Sequence, residues 1–175
     1  VGQVPVDDEA EPASSWEIGA SASGLWSDDD FALGADAQGF PAFGARVAWR
    51  PVALAALGIE AWRGRLETAA GDVTVEALGA HFRATPWAAR GWPLDPALHF
   101  GVERIAVDDD EDRSLAFVAG AGLAHLGPRW VVDLAARNRV LSVGAEAADA
   151  IDDPVPRDAT LWEVRVTLAV VLGGG

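Results

Sequence analysis

The sequence contains no cysteine, methionine, lysine or tyrosine, and a single asparagine at position 138. Without cysteine there is no disulfide framework and no thiolate metal site, while the redox compartment stays open. All 13 basic residues are Arg, a bias that fits GC-rich coding DNA and needs no functional explanation. Equally absent is any run of about 18 apolar residues, so no helix in the sequence is built to cross a bilayer. Yet 50% of the residues are hydrophobic and the mean hydropathy is +0.15. Apolar content that high without a helical span suits strands that give every second residue to lipid.

The pattern of the apolar residues supports this. Trp162, Val164, Val166, Leu168, Val170 and Leu172 alternate with Glu163, Arg165, Thr167 and Ala169, the period of a strand with one apolar and one charged face. Eight segments read this way, most of them about ten residues long, the length a tilted strand needs to cross a membrane. The chain of 175 residues is then one domain, with an acidic flexible tail over 1–15, a barrel over 16–172 and a short tail over 173–175. The first residue is Val1, with no apolar leader before the acidic tail, as expected of a mature chain freed of its secretion signal.

Strand one (16–26) places Trp16, Ile18, Ala20, Ala22, Gly24 and Trp26 outward. Strand two puts Phe43, Ala45, Val47 and Trp49 outward and Arg46 and Arg50 inward, ending at Pro51. Strand three turns Leu57, Ile59 and Ala61 outward and Gly58 and Glu60 inward, before a loop over 63–72. Strand four, from 73 to about 87, changes parity between Val75, Ala77 and Leu78, Ala80, Phe82, which predicts a β-bulge near Ala77. Strands five, six and seven put Leu98, Phe100, Val102, Leu115, Phe117, Leu123, Trp130, Val132 and Leu134 outward. The longest loop, 141–159, precedes strand eight.

With both termini on one side, the periplasmic one, Trp16, Trp49, Trp87, Trp92 and Trp130 gather at that edge. Trp26, Phe43, Phe117 and Trp162 gather at the other. Trp62 belongs to the outer belt by height, but its parity points it inward beside Glu60. Loops are long on the outer side and shorter on the inner side.

These features together resemble the eight-stranded outer-membrane barrels, the OmpA-like transmembrane domain and its relatives, over residues 16–172. The resemblance implies an all-β, eight-stranded antiparallel up-and-down transmembrane β-barrel in a bacterial outer membrane. Such barrels commonly end on an aromatic residue read by the insertion machinery, whereas this chain ends on Leu172 followed by three glycines.

Inward positions carry Glu17, Arg46, Arg50, Glu60, His99, Glu103, Asp133, Arg137, Arg139, Glu163 and Arg165, with Glu76 a further candidate. An eight-stranded barrel has a lumen just wide enough to be filled by side chains. Mixed charges there are expected to pair into a plug, with Asp133, Arg137, Glu163, Arg165 and Glu17 in one network across strands seven, eight and one. The alternative is a narrow path for ions or small solutes.

Some barrels of this size are lipid A acyltransferases or deacylases with a His and a Ser at the outer rim. Neither His81 nor His99 has a Ser two residues on, His125 falls at the inner end, and Ser114 and Ser142 have no His beside them. A triad needs base and nucleophile within hydrogen-bond reach, so no catalytic residue is assigned.

Loops one, three and four and the N-terminal tail each carry a net charge of −4, an acidic outer rim that argues against nucleic acid and against direct binding of anionic headgroups. Asp108, Asp109, Asp110 and Asp112, with Glu111, offer oxygen ligands for Ca²⁺ or Mg²⁺. They lack the glycine-spaced order of an EF-hand, which favours a solvated acidic surface. The expectation is a non-enzymatic outer-membrane barrel with a structural, anchoring or interaction role. Its partners would be membrane lipid and other envelope proteins.

Overall fold

The computed structural model describes residues 14–27, 39–68, 71–90, 92–107, 114–142 and 159–173. Eight strands follow one another: β1 Ser15–Ser27, β2 Phe40–Val52, β3 Ala55–Thr68, β4 Gly71–Ala84, β5 Asp95–Val107, β6 Ser114–Leu126, β7 Trp130–Ser142 and β8 Ala159–Leu172. Each pairs antiparallel with the next. β1 closes on β8 from Trp16↔Leu172 to Ser27↔Leu161, so the sheet is a closed barrel without edges. A short 3-10 helix, Ala88–Arg90, fills the turn between β4 and β5.

The wall is inside-out relative to a water-soluble protein. Ile59 is 63% exposed and Val166 50%, while Arg139 and Glu17 are fully buried. Exposing a continuous band of large apolar side chains in water would be strongly unfavourable. In hydrocarbon the same band is solvated, and closure leaves no sheet edge with unpaired backbone groups. Trp16 pairs directly with Trp49 at the end holding the termini, and Trp26 with Trp162 at the loop end. Trp16 and Trp26 are ten residues apart on one strand, about 33 Å of chain. A tilt of about 40° reduces this to about 25 Å of height, the usual apolar band of such barrels.

The strands differ from the sequence reading at several of their ends and in one expected bulge. β2 continues through Pro51 to Val52, and its pairing with β3 shifts register between Trp49 and Val52, the irregularity that accommodates a residue without an N–H. β3 and β4 extend far into the segment read as a loop over 63–72, with Arg63↔Glu76 and Arg65↔Thr74 paired across them. The apolar alternation stops there but the backbone ladder does not need it. No bulge interrupts β4 near Ala77, since its register with β3 and β5 is continuous. Val75 and Ala77 face the lumen, while Glu76, Leu78, Ala80 and Phe82 face outward. Finally, β4 ends at Ala84, and the turn begins before Trp87.

The lumen has two kinds of filling. At the loop end Leu25, Phe40, Ala42, Trp62, Val75, Ala77, Ile105, Ala116 and Leu161 form one buried apolar cluster. Towards the termini the inward side chains are charged. Small residues opposite large ones make this possible. A Cβ on Gly101 would come within 2.5 Å of the His81 ring, and one on Gly120 within 2.7 Å of the Arg137 stem, the residues they pair with across the sheet.

Candidate functional site

The chemistry of the molecule is concentrated in the lumen, where strand parity places charged side chains from seven strands. They form two groups. In the group nearer the termini Glu17 accepts from Arg46 at 2.6 Å and from Arg83 at 2.7 Å, with Arg50 at 3.9 Å. Asp133 lies 3.7 Å from Arg46, 3.6 Å from Arg83 and 3.3 Å from the His99 ring. Arg50 donates to Ser15.

In the second group, nearer the apolar cluster, Glu60 accepts from Arg137 at 3.1 Å and is also paired with Arg165. Glu163 accepts from Arg137 at 2.6 Å and lies 3.1 Å from Arg139. Arg139 directs its fork at Glu103, donating from Nε at 2.7 Å and from Nη2 at 3.3 Å. Glu103 also accepts from the Trp62 indole at 3.1 Å and lies 3.0 Å from His81 Nε2. The Arg139 guanidinium stacks 5.0 Å from the Trp62 ring centroid. Trp62 thus seals the charged layer from the apolar one: its ring packs with the apolar cluster and its N–H satisfies a carboxylate.

The geometry corrects the pairing expected from neighbouring strands. Glu17 does not join Arg137. It pairs with Arg46 on the adjacent β2 and reaches over the lumen to Arg83 on β4, because in so narrow a barrel a non-adjacent wall is also within side-chain reach. Arg165 pairs with Glu60 on β3, not with Glu163 or Asp133. Glu76 is outside, half exposed and 3.2 Å from Arg63. His81 and Arg83 are lumen residues that escaped the sequence reading. The signal was present: with Leu78, Ala80 and Phe82 outward, alternation sends 81 and 83 inward, and the supposed bulge obscured it.

Glu60, His81 and Glu103 bring one ring nitrogen and two carboxylate oxygens within 4.8 Å of one another, a donor set that suits a divalent cation by type. Both carboxylates already neutralise guanidinium groups, so a dication there would face Arg137, Arg139 and Arg165 at close range. The arrangement is an ion-pair network. His125 lies at the terminus end, with Nδ1 2.6 Å from the Pro93 carbonyl oxygen and its ring against Trp130. Ser114 and Ser142 sit at the loop ends of β6 and β7. Asp108, Asp109, Asp110 and Asp112 lie outside the described residues.

A cavity of about 30 Å³ remains between the two groups, lined by Arg46, His81, Arg83, His99, Asp133 and Arg137 among others. That is room for about two water molecules.

No protein-family model matches this sequence, and no curated protein matches it. By structure the chain is similar to Neisserial surface protein A, with 14% identity and a TM-score of 0.58 over 90% of this chain and 98% of that one. It is likewise similar to the outer membrane protein OprG from Pseudomonas aeruginosa, with 10% identity and a TM-score of 0.55 over 95% of this chain and 99% of that one. At such identities the likeness concerns fold. Taken with the closed sheet and its inverted polarity, it establishes that the chain has the fold of the small eight-stranded outer-membrane β-barrels.

Proposed function

We propose that the protein is a non-enzymatic, non-conducting barrel of a bacterial outer membrane that acts through its acidic outer loops, as an anchor or interaction module in the envelope. The observation that carries this reading is the filling of the lumen, charged at one end and apolar at the other, which leaves the loops as the surface free to engage partners. Both termini are periplasmic in this reading, with the loops that follow β1, β3, β5 and β7 outside.

The arginines supply a test of place and orientation. Trypsin added to intact cells is expected to cut after Arg113 and Arg157, in the loops before β6 and β8, and to spare Arg129 in the exposed turn before β7. Peptide mass spectrometry reads the sites. Cleavage at Arg129 with Arg113 and Arg157 protected would reverse the orientation, and absence from the outer-membrane fraction would end the proposal.

A further inference from the structure

The two ends of the barrel differ in the sign of their exposed charge. Three of the four segments joining strands at the loop end are strongly acidic. At the end holding the termini, the exposed charged side chains among the described residues are Arg90 and Arg129, and the carboxylates there, Glu17 and Asp95, are buried. Both arginines are held in place. Arg90 closes the short 3-10 helix and lies 5.7 Å over the Trp92 ring, while the Arg129 carbonyl accepts from the Val171 N–H at 2.9 Å. His125, with Nδ1 2.6 Å from the Pro93 carbonyl oxygen, ties the turn that carries Arg129 to the turn that carries Arg90.

The chain enters β1 at the same end, where the Ser14 carbonyl lies beside Gly173. Residues 1–13 lie outside the described residues. Their sequence holds four carboxylates, on Asp7, Asp8, Glu9 and Glu11, and no basic side chain. From β1, the Arg129 turn on β7 is two strand spacings away across β8, about 10 Å, and the Arg90 turn on β5 is four, about 20 Å. An extended chain covers about 3.3 Å per residue, so Glu11 reaches about 10 Å from Ser14 and Asp7 about 23 Å. The spacing of the carboxylates along the segment thus matches the spacing of the two arginines around the rim.

We infer that the acidic N-terminal segment docks on this basic rim, with Glu11 at Arg129 and Asp7, Asp8 and Glu9 at Arg90, lying over the β5 to β8 side of the barrel mouth. Composition alone suggests a flexible tail, but the tail has a surface of opposite charge within its own reach. Exposed ion pairs are individually weak, and tethering offsets this by holding the carboxylates near the arginines at high effective concentration. An acidic partner approaching Arg90 and Arg129 must displace the segment first. The inference goes beyond the role proposed above and holds whichever side of the membrane the termini face.

The test is a distance measurement on the full chain in phosphatidylcholine nanodiscs, with spin labels on V6C and A88C. The chain has no cysteine of its own, so the two labels are unambiguous. Docking predicts one narrow distribution centred below about 20 Å, whereas an undocked segment spreads to about 40 Å. Adding R90Q/R129Q, or raising the salt to about 1 M, is expected to broaden the distribution. R63Q/R104Q, altered at the opposite end, should leave it narrow. Exchanging the charges, with D7K/D8K/E9K/E11K in an R90E/R129E background, should restore the short distance. Phosphatidylcholine offers the arginines no anionic lipid, so a broad distribution in the parent would leave them to another occupant and overturn the inference. A narrow distribution that survives R90Q/R129Q, or a charge exchange that fails to restore it, would do the same. So would a short distance in a mixture of singly labelled chains, which would place the segment on a second copy. Heat-modifiable migration of each variant on a denaturing gel reports the intact barrel separately.

Discussion

Replacing Glu103 with Ala is expected to lower the stability of the barrel by about 3–5 kcal/mol, the usual consequence of leaving buried charge without its partner. Glu103 is fully enclosed and accepts from both the Nε and Nη2 of Arg139 and from the Trp62 indole, with the His81 ring at 3.0 Å. Its removal takes the two-pronged partner from Arg139, itself without solvent contact, leaving it only Glu163, already shared with Arg137, and leaves the Trp62 N–H unsatisfied at the boundary of the apolar cluster. Urea unfolding in lipid vesicles reads the change. The E103A/R139A double variant should recover part of the loss, because the uncompensated charge is gone. A loss below about 1 kcal/mol for E103A would mean that the carboxylate is hydrated, as at a surface.

Ile59→Arg tests the other side of the wall. Ile59 is 63% exposed and lies midway along β3 between the two aromatic belts. In a bilayer, arginine at mid-depth on the lipid face costs about 2–4 kcal/mol, falling to about 0–1 kcal/mol near the interface. In water, a substitution at so exposed a position would change stability by less than about 0.5 kcal/mol. The same unfolding measurement in vesicles therefore separates a lipid-facing wall from a solvent-facing one. Arg63, two outward positions along the same strand, shows where the chain itself begins to place arginine.

The lipid face was legible in the sequence because alternation is a local property. Trp16 to Trp26 on β1 and Trp162 to Leu172 on β8 each declare their faces without reference to any neighbour, and closure of β1 on β8 follows from the even strand number and the shared polarity. Strand ends were less legible where composition ceased to alternate. Arg63, Arg65 and Glu76 look like loop residues, yet cross-strand pairing carries the ladder past them.

Parity also identified most of the lumen residues, and it failed on β4 for a physical reason. Val75 and Ala77 are apolar and inward, because the lumen changes from charged to apolar towards the loops. A rule that equates apolar with lipid-facing must invent a bulge there. It then loses His81 and Arg83 and gains Glu76. Ion-pair partners were the least accessible feature. Arg165 to Glu60 and Arg83 to Glu17 join residues 105 and 66 positions apart, and only the width of the closed barrel brings their tips together.

The central claim is a membrane-spanning barrel whose lumen is closed, and single-channel recording tests it most directly. Folded protein is inserted into planar bilayers, with insertion verified by heat-modifiable migration of the recovered sample. The ion-pair network and the apolar cluster above it predict no steady conductance over the applied voltage range. Reproducible, ion-selective channels from the unmodified protein would contradict the account and make the lumen a pore.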